Sequence, residues 1–117
     1  MHYLGSAYVD EKYWLNLPES ERQRVGAECG VYGEELKASG HLLGGDRLEP
    51  TSTATTLRKK GDQLIVTDGP FAETKEALGG YMLLECRDLD EALAIGARFP
   101  ALRAGWTLEI RPVFMGE

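Results

Sequence analysis

Cysteine and histidine are scarce in this chain, and each shortage excludes something. Two cysteines (Cys29, Cys86) and two histidines (His2, His41) are scattered over 117 residues, which gives neither a disulfide framework nor a Cys/His metal spacing. No HxH or HExxH occurs, so local sequence offers no metal site. No apolar run nears the roughly 20 residues that cross a bilayer. Asp10, Glu11 and Lys12 follow closely on the first short segment, where a signal peptide would carry its apolar core. Basic residues are the minority charge: 13 Lys and Arg against 19 Asp and Glu leave a net charge of −6. That balance disfavours sequence-independent attraction to nucleic acid or to anionic membranes. The one dense basic cluster, Arg58-Lys59-Lys60, is too short for a nucleic-acid footprint and reads as a solvated turn. Gly44-Gly45-Asp46 follows a helix, which is the wrong context for a phosphate loop. The expectation is a cytoplasmic protein with free thiols, no cofactor or metal, and neither nucleic acid nor membrane as partner.

What remains is ordinary for a globular protein. Hydrophobic residues make up 43% and charged residues 27%, so residues 1–117 read as one domain with a core of its own.

Residues 2–9 read as a strand closed by Asp10-Glu11. Asn16 as cap, Pro18 in the first turn and Glu19 near the positive end predict a helix running to about Ser39, with Gly40 as its stop. Val25, Cys29, Tyr32 and Leu36 recur at helical spacing and mark its buried stripe. Gly26, Gly30 and Gly33 flank that stripe, and close approach of another backbone would account for them. Residues 41–52 read as loop. Thr53–Lys59 and Gln63–Thr67 form a hairpin around Lys60-Gly61-Asp62. Residues 68–79 read as irregular, or as one helical turn pinned by Phe71, and 80–86 as a strand. Asp88 and Glu91 cap a second helix over 89–99, with Leu89, Ala92, Leu93, Gly96 and Phe99 inward and Pro100 as its stop. The last strand, 106–114, alternates Trp106, Leu108 and Ile110 with Thr107, Glu109 and Arg111.

This order predicts an α+β fold: a ferredoxin-like split βαβ sheet with an added hairpin and both helices on one face. The strands expected at the centre, 2–9 and 80–86, are apolar in both phases, with Tyr81 and Leu83 opposite Met82, Leu84 and Cys86. Strands buried on both sides have no need to alternate. A homodimer with sheet packed on sheet, a dimeric α+β barrel, is the simplest cover for the second face. Tyr3, Tyr8, Tyr81 and Trp106 then serve the core and the dimer, or line a pocket.

The distinctive run is Asp68-Gly69-Pro70-Phe71-Ala72-Glu73-Thr74-Lys75-Glu76. Read structurally, it is a strand end and a sharp turn closed by Gly79-Gly80. Read functionally, Asp68 is an acid/base or ligand-accepting carboxylate at the mouth of a cleft, supported by Glu73 and Lys75, with Phe71 and Tyr81 as substrate-binding residues.

The run D-G-P-F-A-E-T-K-E, followed by L-G-G-Y and D-L-D-E-A, resembles the YCII-related family, in its DGPF-domain branch. The likeness extends to E-E-L-K-A-S-G at 34–40, G-G-D-R-L at 44–48, T-A-T-T-L-R at 53–58 and E-I-R-P-V at 109–113. It implies a ferredoxin-like subunit of a dimeric barrel, small-molecule enzymology, and for some members a link to extracytoplasmic-function sigma factors. It also implies a His–Asp dyad. Carried over, the aspartate is Asp68, while the helix position often held by histidine is Cys29 here, a departure that counts against an imidazole mechanism. On the apolar stripe a free cysteine behaves as a small hydrophobe with a raised thiol pKa.

Two readings stay open. One is a cofactor-independent acid/base enzyme acting on an unknown small molecule beside the Asp68 loop. The other is a non-catalytic ligand-binding or regulatory module with a sigma factor as possible partner.

Overall fold

A computed structural model describes residues 1–116. The elements are β1 (His2–Val9), α1 (Glu11–Asn16), α2 (Glu19–Ala38), β2 (Leu42–Arg47), β3 (Thr55–Lys60), β4 (Gln63–Asp68), β5 (Ala77–Glu85), α3 (Leu89–Ala97) and β6 (Thr107–Pro112). Short 3-10 turns stand at Thr51–Thr53 and Pro100–Ala104.

Strands β2, β5, β1 and β6 form one antiparallel sheet in that spatial order. The units β1–α2–β2 and β5–α3–β6 interleave in it, which is the expected split βαβ arrangement. Both long helices cover one face. Tyr3, Leu84 and Cys86 of the sheet side meet Tyr32 and Leu36 of α2 and Ala92 and Ile95 of α3 in one core cluster. A second cluster joins Val9, Trp14, Val25, Ala101 and Ala104, with Cys29 and Trp106 against it. Strands β3 and β4 form a separate two-stranded ribbon, turned at Gly61 with φ +61°, a value that favours glycine.

Four local readings of the sequence are corrected. The stretch 42–47 is an edge strand of the main sheet, masked by its two glycines. A Cβ on Gly45 would lie 2.5 Å from the Tyr81 carbonyl oxygen, so this strand needs the residue that made it look like loop. Helix α1 precedes the expected helix start. The Asp10 carboxylate accepts from the N–H groups of Lys12 and Tyr13 at 3.1 and 3.3 Å, whereas Asn16 ends α1 and Pro18 precedes α2 without a side-chain cap. In α3 the inward set is Ala92, Ile95 and Gly96, while Leu89 and Leu93 are exposed. The helix is turned so that Gly96 meets Leu108 and Ile110 of β6, where a Cβ would fall 3.2 Å from Leu108. Phe71 is 75% exposed and pins nothing to the core.

Other expectations hold. Val25, Tyr32 and Leu36 are buried along α2, and the Asp88 carboxylate accepts from the Glu91 N–H at 2.9 Å. Strand β6 alternates as read.

Candidate functional site

A cavity of about 350 Å³ lies between α2 and the β2–β5 half of the sheet. Its helix wall is Gly26, Gly30 and Gly33, which steps of four and three place on one face. A Cβ on Gly26 or Gly30 would meet nothing within 4 Å, and on Gly33 only Leu42 at 3.9 Å. Close backbone approach therefore does not explain these glycines; they border open space. The opposite wall carries Gly45, Gly79, Gly80 and Met82, and there the contacts are tight. A Cβ on Gly79 would fall 2.7 Å from the Trp106 ring.

Trp14 and Trp106 line the same cavity, edge to face with centroids 5.4 Å apart and planes at 84°. The Nε1–H of each is buried with no hydrogen-bond acceptor among the described residues. An unsatisfied buried donor costs about 1–3 kcal/mol, and such groups are rare enough to need a reason. The Arg47 guanidinium stands 5.6 Å from the Trp14 ring centroid, in cation–π range. Its side chain is exposed, and no carboxylate among the described residues lies within ion-pair distance of it. Among the described residues it is the one cation bordering the cavity.

The other polar groups of the lining are engaged. Tyr32 donates to the Ile95 carbonyl at 2.8 Å, and burial pushes its phenol up to about 12. Cys29 is half-buried, and burial raises its thiol pKa, opposed in part by a hydrogen bond from the Ala101 backbone N–H. A protonated thiol in this position is a lining group and a poor nucleophile.

The residues nominated from sequence fall in three places. Tyr81 is among the residues at the cavity's edge, but by strand alternation its side chain lies on the opposite sheet face, where its hydroxyl donates to Asp46 Oδ2 at 3.4 Å. Glu73 and Lys75 border a second, open and polar cleft of about 740 Å³, together with Asp10, Glu11, Lys12 and Thr51. Asp68 and Phe71 border neither. Asp68 ends β4 opposite Thr55 with an exposed side chain. The turn after it is held through Gly69, at φ +97°, whose N–H donates to the Ala54 carbonyl at 2.7 Å and whose carbonyl accepts from Thr56 Oγ1 at 2.8 Å. Within one chain, Cys29 and Asp68 thus stand in separate settings. His41 meets Ser39 Oγ at 2.7 Å and Glu91 at 3.4 Å, and His2 meets Glu85 at 3.4 Å. Both sit in surface contacts away from the cavity.

Sequence reasoning missed Trp14 and Arg47. Trp14 lies in a segment that looked like connection and Arg47 in the edge strand that looked like loop. The glycine triplet on α2 was the available signal.

Comparison with known proteins gives the same architecture. The sequence profile of the YCII-related domain matches residues 1–115. An uncharacterised protein of Rhizobium meliloti is 41% identical over 93 residues, 80% of this chain and 75% of that one. Among solved structures, 5-chloro-2-hydroxyhydroquinone dehydrochlorinase (TftG) from Burkholderia phenoliruptrix, in complex with 2,5-dihydroxybenzoquinone, superposes with a TM-score of 0.59. It shares 17% identity, over 99% of this chain and 96% of the other, a likeness of fold.

Proposed function

The chain belongs to the YCII-related domain family, and from that premise we propose that it takes a small, flat, ring-containing organic molecule into the cavity under α2. One observation carries the reading: a glycine wall that leaves space open faces two indoles whose N–H groups lack acceptors. Helical glycine costs up to about 1 kcal/mol relative to alanine. Three on one face, without a packing partner to justify them, fit a volume kept for something else. At about 350 Å³ the space suits one substituted ring, at the small end of ligand pockets. The fold neighbour's 2,5-dihydroxybenzoquinone is a ligand of that shape, with oxygens that accept hydrogen bonds. Arg47 would pair with an anionic oxygen, and the indoles would stack on the ring.

Catalysis, in this proposal, is cofactor-independent proton transfer, with Asp68 as the carboxylate and Glu73 and Lys75 in support. Burial raises the Cys29 thiol pKa, which counts against a thiol mechanism; Glu73 and Lys75 border a cleft that Asp68 does not border within one chain. A homodimer belongs to the same reading. Leu4, Tyr8, Leu78, Tyr81 and Leu83 lie on the sheet face away from the helices, and Leu78 and Tyr81 are exposed in a single chain. Two free thiols suit a reducing cytoplasm.

A thermal-shift screen of ring-containing metabolites on wild type, Gly30→Leu and Asp68→Asn tests the proposal. Hits should stabilise wild type and Asp68→Asn but leave the cavity-filled Gly30→Leu unshifted. Equal shifts in Gly30→Leu would place the ligand elsewhere. Turnover of a hit that survives in Asp68→Asn would remove the catalytic assignment and leave a binding module.

A further inference from the structure

The groups around the cavity under α2 are one-sided in what they offer a ligand. Asp46 is the one carboxylate at its edge. It stands opposite Tyr81 in register and accepts the Tyr81 hydroxyl, so strand alternation places it on the sheet face away from the helices. Arg47, one step on and opposite Gly80, falls on the helix side. Tyr32 spends its proton on the Ile95 carbonyl at 2.8 Å. The backbone carbonyls of the walls run along the α2 axis or in the plane of the sheet, and neither direction aims into the space. What is left is the Nε1–H of Trp14 and of Trp106, both without an acceptor among the described residues, and the Arg47 guanidinium beside the Trp14 ring. These three residues also border a smaller void of about 40 Å³, so they stand together. On its helix side the cavity presents donors and one positive charge, with no carboxylate or amide side chain among the described residues to oppose them.

The other charges near Arg47 have partners or stand clear of it. Glu11 and Glu49 border the smaller void with it. The Glu11 carboxylate accepts from the Thr51 N–H and Oγ1 at 2.9 and 2.5 Å, and neither glutamate is within ion-pair distance of the guanidinium. Glu28 of α2 is paired with Arg103.

We propose that the cavity takes its ring in ionised form, as a phenolate, an enolate or a ring carboxylate, and that Arg47 selects that charge. The inference rests on the cavity reading above and adds the chemical class of the ligand. A delocalised oxygen anion accepts from several donors at once, and charge-assisted hydrogen bonds are roughly twice as strong as neutral ones. Apolar walls screen the pairing less than water does. A cationic ring would meet like charge and leave the buried donors unmet. The chain as a whole carries −6 and disfavours an anion at long range, so the preference falls on the local cation. A ring acid that ionises near neutrality should therefore be held as its anion at a pH where it is still protonated in water, its proton passing to solvent.

4-Nitrophenol is a direct probe, because its ionised form absorbs in the visible. With excess protein its visible band should appear at least about one pH unit lower than in buffer, a tenfold preference for the anion. In equilibrium dialysis, 4-nitrophenolate or 4-nitrobenzoate should bind at least about tenfold more tightly than neutral nitrobenzene. Either anion sustains the proposal, and the one that binds better distinguishes a phenolate-type acid from a carboxylate. Arg47→Met should erase the preference and leave nitrobenzene binding as it was, while Arg47→Lys, which keeps the charge, should keep part of it. Equal affinity for nitrobenzene and both anions, or a preference unchanged in Arg47→Met, overturns the inference and leaves the cavity reading standing. Failure of all three probes to bind, or binding undiminished in Gly30→Leu, overturns the cavity reading and this inference with it.

Discussion

Trp14 and Trp106 meet edge to face, 5.4 Å between centroids, and neither indole N–H finds an acceptor among the described residues. The pair therefore contributes packing while leaving two donors unsatisfied. Trp14, 4% exposed, should lose about 3–5 kcal/mol of stability as Trp14→Ala. Trp14→Phe keeps most of the ring and removes one orphan donor, so it should cost under about 1.5 kcal/mol without ligand. Urea denaturation of both variants checks the contrast.

The glycines should split into two classes. Gly30→Ala adds a methyl that meets nothing and should stabilise α2 by about 0.5–1 kcal/mol. Gly45→Ala puts a methyl 2.5 Å from a backbone oxygen of β5, where only the strand itself can give way. It should destabilise by more than about 1 kcal/mol. Thermal unfolding of the two variants should shift in opposite directions.

Cys29 should be a slow thiol. Burial raises its pKa despite the Ala101 N–H, so the thiolate fraction near neutrality is reduced. Iodoacetamide should alkylate it more slowly than an unstructured cysteine, with the rate-against-pH curve displaced upward. Faster alkylation than the unstructured thiol would revive a nucleophilic role.

Glu91 should shape the acid limb of stability. Its carboxylate accepts from the Arg87 N–H at 3.0 Å, the main cause of its lowered pKa, with the Arg87 guanidinium and His41 adding to it against partial burial. A folded value below the unfolded one means the folded state resists protonation. The contribution is complete above the ordinary glutamate range and disappears as pH falls through the lowered folded value. Glu91→Gln should lose stability near neutrality and show a shallower decline between neutral and acidic pH, read from unfolding midpoints across the series.

The fold was legible because its signals are periodic and local. Alternation marked β6, the Val25–Leu36 stripe marked α2, and the order of strands and helices along the chain gave the split βαβ sheet. What misled was glycine used for packing: Gly44 and Gly45 disguised an edge strand whose close crossing of β5 requires Gly45. The cavity was half legible. Its glycine wall stood out as costly residues without a stated use, but Trp14 and Arg47 reach it from segments without periodicity. The Asp68 run attracted attention through residue types, whereas the chain turns there by means of Gly69.

The most direct test of the cavity reading uses the chain's only two tryptophans, which give two indole N–H resonances in a nitrogen-correlated NMR spectrum. Both donors are buried and line the proposed site. A ring-containing ligand found by thermal shift should move both indole resonances on binding. A ligand that binds and leaves both unmoved, while shifting amides of residues 70–76, would contradict the account.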